Sequence, residues 1–204
     1  WAGTSIIGLT IFILYYLIYK LNKKKKSFQW FFNPWFCLAM GIGANLLIVV
    51  FRIINLFEYI IVDLLGKELT LTGRTLIWDS ALNLIMKKPF IGYGAGDIIQ
   101  YRRWIVMAHN QFLDIAIQGG LIALILYFIY LFKLCLDLNK NKGTKLSMMI
   151  TMVMFSFLVM MIAEKLTPYE PIYLFFSLSY FIPQIEKGLF LKQKIYRFKL
   201  WKVK

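Results

Sequence analysis

The sequence predicts an all-α integral membrane protein with about five transmembrane helices and a long external loop that carries an amphipathic interfacial helix. Three observations lead there. Hydrophobic residues make up 60% of the chain and aromatic residues 18%, and the mean hydropathy is +0.65, a composition outside the range of soluble domains. Apolar runs of about 18–22 residues recur, the length that crosses a hydrocarbon core of about 30 Å. The lysines gather beside those runs instead of being spread along the chain, as the positive-inside rule requires of cytoplasmic connectors.

The first span covers about 4–21 and ends in Lys20 and Lys23–Lys26. The second, about 35–55, is entered through Asn33-Pro34 and an aromatic belt of Trp30, Phe31, Phe32 and Trp35, residues that favour the headgroup level. Its small residues Gly41, Gly43 and Ala44 allow close helix packing. The third covers about 112–134 and is followed by a polar connector bearing Lys140, Lys142 and Lys145. The fourth is about 146–163, then a short turn stopped by Pro168 and Pro171 leads to the fifth, about 171–186. A basic tail, 187–204, closes the sequence. Counting sides puts the N-terminus outside, the C-terminus inside, and every lysine cluster at the cytoplasmic face. Trp1 opens almost directly into an apolar run, without the arrangement of a signal peptide. Residues 1–204 therefore read as the C-terminal portion of a longer polytopic membrane domain.

A net charge of +14 would suggest nucleic acid in a soluble protein. Here it flanks spans, where anionic lipid attracts it, and a nucleic-acid partner is not expected. Cys37 and Cys135 lie inside apolar spans and read as small hydrophobes without the spaced partners of a zinc site.

The loop of about 56–111 is too long for a plain connection and too apolar for disorder. Within it, Thr72-Gly73 reads as a helix start and Lys87-Lys88-Pro89 as its end. Trp78, Ala81, Leu82 and Ile85 recur at helical spacing, with Ile77 and Leu84 beside them, and Thr75, Asp79, Asn83 and Lys87 line the other side. The result is an amphipathic helix of about four turns, suited to lie on a membrane face. Arg74 shares the side of Trp78; it either snorkels to headgroups or meets an anion at the surface. Gly92, Gly94 and Gly96 alternate through the next turn, which reads as a tight bend where backbone approaches another group. After Arg102 and Arg103 comes the only histidine, His109. A helix starting near it, about 109–134, is longer than the hydrocarbon is thick and should hold His109 at an exposed rim. Ala116 with Gly120, and Gly119 with Ala123, form small faces for packing. Histidine exchanges a proton near neutral pH, and arginine grips phosphate oxygens in pairs. The set suits a reaction on a phosphate-bearing lipid. One histidine and no clustered carboxylates leave no metal set, and no cofactor motif is present.

In order, the chain shows Gly-Arg-Thr-x-x-Trp at 73–78, Lys-Pro-Phe-Ile-Gly-Tyr-Gly at 88–94, Ala-His-Asn-Gln-Phe-Leu at 108–113 and Gly-Gly-Leu-Ile-Ala at 119–123. This set resembles the C-terminal part of the O-antigen polymerase and ligase superfamily, and it is most similar to capsular and exopolysaccharide repeat-unit polymerases. The resemblance covers about residues 1–135. It implies a metal-independent membrane glycosyltransferase in the bacterial cytoplasmic membrane, working at its outer face on oligosaccharide carried by undecaprenyl diphosphate. Other polysaccharide-assembly proteins are candidate partners. The family's essential histidine and loop arginine fall on His109 and Arg74. By that resemblance His109 accepts the proton of the acceptor hydroxyl, Arg74 with Arg102 or Arg103 holds the diphosphate, and Asn110 and Trp78 support them. Two places depart from the family's pattern: Ala123 stands where glycine is frequent, and Trp1-Ala2-Gly3-Thr4-Ser5 carries no counterpart of the arginine that the family tends to have just ahead of this span. Arg52, near the outer end of the second span, reads by default as a snorkelling residue and is an alternative phosphate ligand. Outside the polymerase reading stand a ligase that passes finished glycan to another acceptor, and a transporter or flippase component. The near absence of charges inside the spans argues against the transporter.

Overall fold

The computed structural model describes residues 2–22, 25–53, 70–94, 108–164 and 170–189, and every element among them is helical. Helix α1 covers Ala2–Asn22. A 3-10 helix, Lys26–Phe32, turns the chain back. Helix α2, Pro34–Asn45, starts where the Asn33 side chain accepts from the Trp35 amide at 2.8 Å, with Pro34 at its first position, where a missing N–H is harmless. It runs on as a π-helix, Leu46–Val50. Helix α3 is Thr70–Lys87, α4 is Gln111–Lys140 and α5 is Lys145–Ala163, capped by Thr144. Helix α6, Glu170–Ser177, passes through a 3-10 turn, Leu178–Phe181, into a last helical stretch, 182–189, that begins beside Pro183.

Among the described residues three helices are long and apolar enough to cross a bilayer: Gly3–Asn22, Gln111–Lys140 and Lys145–Ala163. They correspond to the first, third and fourth expected spans. The second is shorter than expected. Its apolar helix, Pro34–Val50, ends five residues before the expected boundary, because Phe51 closes back onto the Leu46 carbonyl and Arg52 takes a left-handed φ of 51°. At 1.5 Å per residue it reaches about 25 Å. The fifth expected span is helical but interrupted by the 3-10 turn.

Helix α5 is central and packs on α1, α2 and α4. Ile150, Met152, Met154, Leu158 and Met161 are fully enclosed along it. Gly41 lets α2 approach it closely, since a Cβ there would stand 2.7 Å from the Leu158 Cβ, whereas Gly43 faces open space. Cys37 and Cys135 are buried and free in this same core. A second, smaller core of Val49, Trp78, Ala81, Tyr93, Ala108, Leu113 and Ile117 joins α3 to the start of α4.

The described residues give the bundle two unlike ends. At one end Asn22, Trp30, Asn33, Asn139 and Lys142 line a cavity of about 530 Å³, beside Lys20, Lys140 and Lys145. At the other, Thr4 of α1, Asn45 of α2, His109 before α4 and Glu164 after α5 come together.

Candidate functional site

Helix α3 is built as its periodicity suggests. Trp78 and Ala81 are buried, Leu82, Leu84 and Ile85 pack against them, and Asp79, Asn83 and Lys87 are exposed. Its apolar stripe rests on α4. The Trp78 indole is 1% exposed and donates from Nε1 to the Ala108 carbonyl at 3.1 Å. The residue before His109 is thereby tied to the middle of α3.

The glycine turn after α3 sits against a break in α4. Gly120 has φ 65° and ψ −165°, outside helical geometry, so the single continuous helix expected from about 109 is two segments joined at a kink. A break exposes carbonyls before it and amides after it, and in a low-dielectric setting these need partners. The turn supplies them. The amides of Tyr93 and Gly94 donate to the carbonyls of Ile117 and Gln118 at 2.9 and 2.8 Å, and the amides of Leu121 and Ile122 donate to those of Pro89 and Phe90 at 2.7 and 3.3 Å. The approach is so close that glycine is required on both sides. A Cβ on Gly92 would lie 2.5 Å from the Ile117 oxygen, and one on Gly120 would lie 2.2 Å from the Phe90 carbonyl. The bend expected at Gly92 is thus the partner of a break that the small-face reading of Gly119-Gly120 did not foresee. Tyr93 completes the joint, donating its hydroxyl to the Leu84 carbonyl at 3.2 Å under the Lys88 ammonium.

His109 stands at the end of this joint with a left-handed φ of 48°. Its side chain is 41% exposed, and its Nδ1 lies 4.0 Å from Oε2 of Glu164. Glu164 is held from the other side, where Thr4 donates Oγ1 to its Oε1 at 3.1 Å. Asn110 is completely buried. Its carbonyl oxygen caps α4 by accepting from the Leu113 amide at 3.0 Å. Its amide donates to the Ile162 carbonyl at 3.2 Å and to Asn45 Oδ1 at 3.4 Å. That places Asn110 underneath His109 as an anchor, with no surface open to a sugar. The Asn45 amide nitrogen is buried and unpartnered, next to the π-helical turn of α2.

Arg74 lies within α3, four residues before Trp78; its side chain, together with Arg102 and Arg103, falls outside the described residues. Arg52 pairs with Asp79 and so clamps the end of α2 to α3. Among the described residues no group of three or more His, Cys, Asp or Glu stands together as a metal set. Sequence reasoning missed Glu164 and Thr4. The signal available was a lone acid at the end of an apolar run, which has meaning only once α1 and α5 are adjacent.

A sequence model of the family described as O-antigen ligase matches residues 2–128, from the start of α1 through most of α4. The chain belongs to the O-antigen ligase family. The family gathers membrane glycosyltransferase-type ligases and polymerases that act on lipid-linked glycans. Trp78, the crossed turn at Gly92 and Gly120, and His109 with Asn110 all lie inside the matched part of this family member, whereas Ile162 and Glu164 lie beyond it. No curated protein and no solved structure matches the chain.

Proposed function

We propose that this chain is the C-terminal part of a polysaccharide polymerase. It transfers a growing glycan from undecaprenyl diphosphate to the next lipid-linked repeat unit at the outer face of the bacterial cytoplasmic membrane. The observation that carries the proposal is His109: a half-exposed imidazole on a buried, capped and cross-tied backbone, at the bundle end opposite the cluster of Lys20, Lys140, Lys142 and Lys145. With the positive-inside rule, that polarity supports an external site.

In the reaction, the hydroxyl oxygen of the acceptor sugar attacks the anomeric carbon of the donor. The bond from that carbon to the diphosphate oxygen breaks, and the diphosphate leaves with its electron pair. The hydroxyl proton passes to His109. Arg74, with Arg102 or Arg103, holds the charge that develops on the leaving group, a role suited to a permanently charged fork.

In the full-length protein, His109→Ala should abolish polymer and leave single lipid-linked repeats. Polymer of normal length from that variant would overturn the role. The description of the matched family favours a second reading, a ligase that passes finished glycan to another acceptor. A ligase defect would accumulate long lipid-linked polymer, which a polymerase defect cannot make.

A further inference from the structure

We infer that Glu164 is the positioning residue for His109, and that Thr4 of α1 helps to orient its carboxylate there. The inference rests on the reading of His109 as proton acceptor, and it assigns a function to a residue beyond the matched positions 2–128.

Glu164 ends α5 in extended conformation, φ −143° and ψ 152°, with its amide bonded back to the Met160 carbonyl at 3.0 Å. Its backbone is therefore set by the helix terminus. Its two carboxylate oxygens face different partners: Oε1 accepts from Thr4 at 3.1 Å, and Oε2 faces His109 Nδ1 at 4.0 Å. A base whose orientation and tautomer are set by a third group is the arrangement general-base catalysis uses, and such contacts are often long before substrate binds. A carboxylate on the Nδ1 side favours a proton on Nδ1. Nε2 is then left as the lone-pair nitrogen that can take a proton from a hydroxyl. The same carboxylate stabilises the imidazolium once that proton has arrived. Thr4 prevents the carboxylate from turning away.

The imidazole itself supplies the test. With histidine labelled in nitrogen-15 in the full-length protein in nanodiscs, the signal that disappears in His109→Gln is that of His109, and in the wild type it should show a protonated Nδ1 and an unprotonated Nε2. Glu164→Leu should move that equilibrium toward the Nε2-protonated tautomer. In the full-length enzyme the same change should lower kcat for polymer extension by about 10- to 100-fold with little change in KM. Glu164→Gln keeps an acceptor oxygen and should retain more activity than Glu164→Leu. Thr4→Val, which keeps the carboxyl group but removes the hydroxyl that orients it, should give a smaller shift and a smaller loss in the same direction, and serves if Glu164→Leu fails to fold. An unchanged imidazole spectrum in both Glu164→Leu and Thr4→Val, or a loss confined to KM, would overturn the inference. Full activity in His109→Ala would instead remove the reading beneath it while leaving the spectroscopic result intact.

Discussion

The indole of Trp78 and the carbonyl of Ala108, 30 residues apart, are joined by a hydrogen bond of 3.1 Å inside the smaller core. The bond fixes the height of α3 against the strand of backbone that presents His109. Trp78→Phe keeps much of the packing but leaves the Ala108 oxygen buried without a donor, which costs about 1–3 kcal/mol. The expected outcome is a lower thermal midpoint in detergent, together with a several-fold loss of transfer at temperatures where the variant is still folded. A variant with wild-type midpoint and turnover would show that the bond contributes nothing to the site.

The crossing of the glycine turn and α4 predicts a contrast between two glycines. Gly94 also has a positive φ, 81°, but open space where a Cβ would go, whereas the space at Gly120 is filled by the Phe90 carbonyl. Gly94→Ala should cost only the strain of the left-handed backbone, about 1 kcal/mol. Gly120→Ala adds a backbone clash and should separate the turn from the helix, seen as loss of folded protein on gel filtration. Equal behaviour of the two variants would contradict the packing described.

Arg74 tests the chemistry of the leaving group. Arg74→Lys keeps the charge but loses the paired donors, and should lower the rate of polymer formation by on the order of tenfold or more, with Arg74→Ala lower still. Quantifying chain-length distribution in the full-length protein checks this. A lysine variant with normal product would leave Arg74 with a headgroup contact only.

Much of this architecture was readable because it rests on periodicity. The apolar stripe of α3 and its end at the Lys-Lys-Pro sequence depend on local spacing, and the helix appears as Thr70–Lys87. The bend at Gly92 was also legible, since closely spaced glycines suit a backbone that must pass near something else. What it passes near was not. The break at Gly120 is stable only because a distant turn supplies its hydrogen-bond partners, and taken alone a Gly-Gly pair within an apolar run reads equally well as a packing face. The end of α2 was misplaced for a related reason. Arg52 reads as a snorkelling residue until Asp79 is seen opposite it. Asn110 was recognisable as important, but its burial beneath His109 depends on Asn45 and Ile162, which arrive from two other helices.

The pairing of the glycine turn with the gap in α4 has a consequence for exchange with solvent. A helix interrupted nine residues after its start would ordinarily lose its amide protons quickly around the gap. Here the amides of Leu121 and Ile122 are engaged by Pro89 and Phe90, and those of Tyr93 and Gly94 by Ile117 and Gln118. All four should exchange deuterium together, slowly and through one opening event. The turn and the two halves of α4 thereby form a single cooperative unit. One opening event would then loosen the whole joint between α3 and α4, while residues 108–110 keep their own ties to Trp78, Asn45 and Ile162.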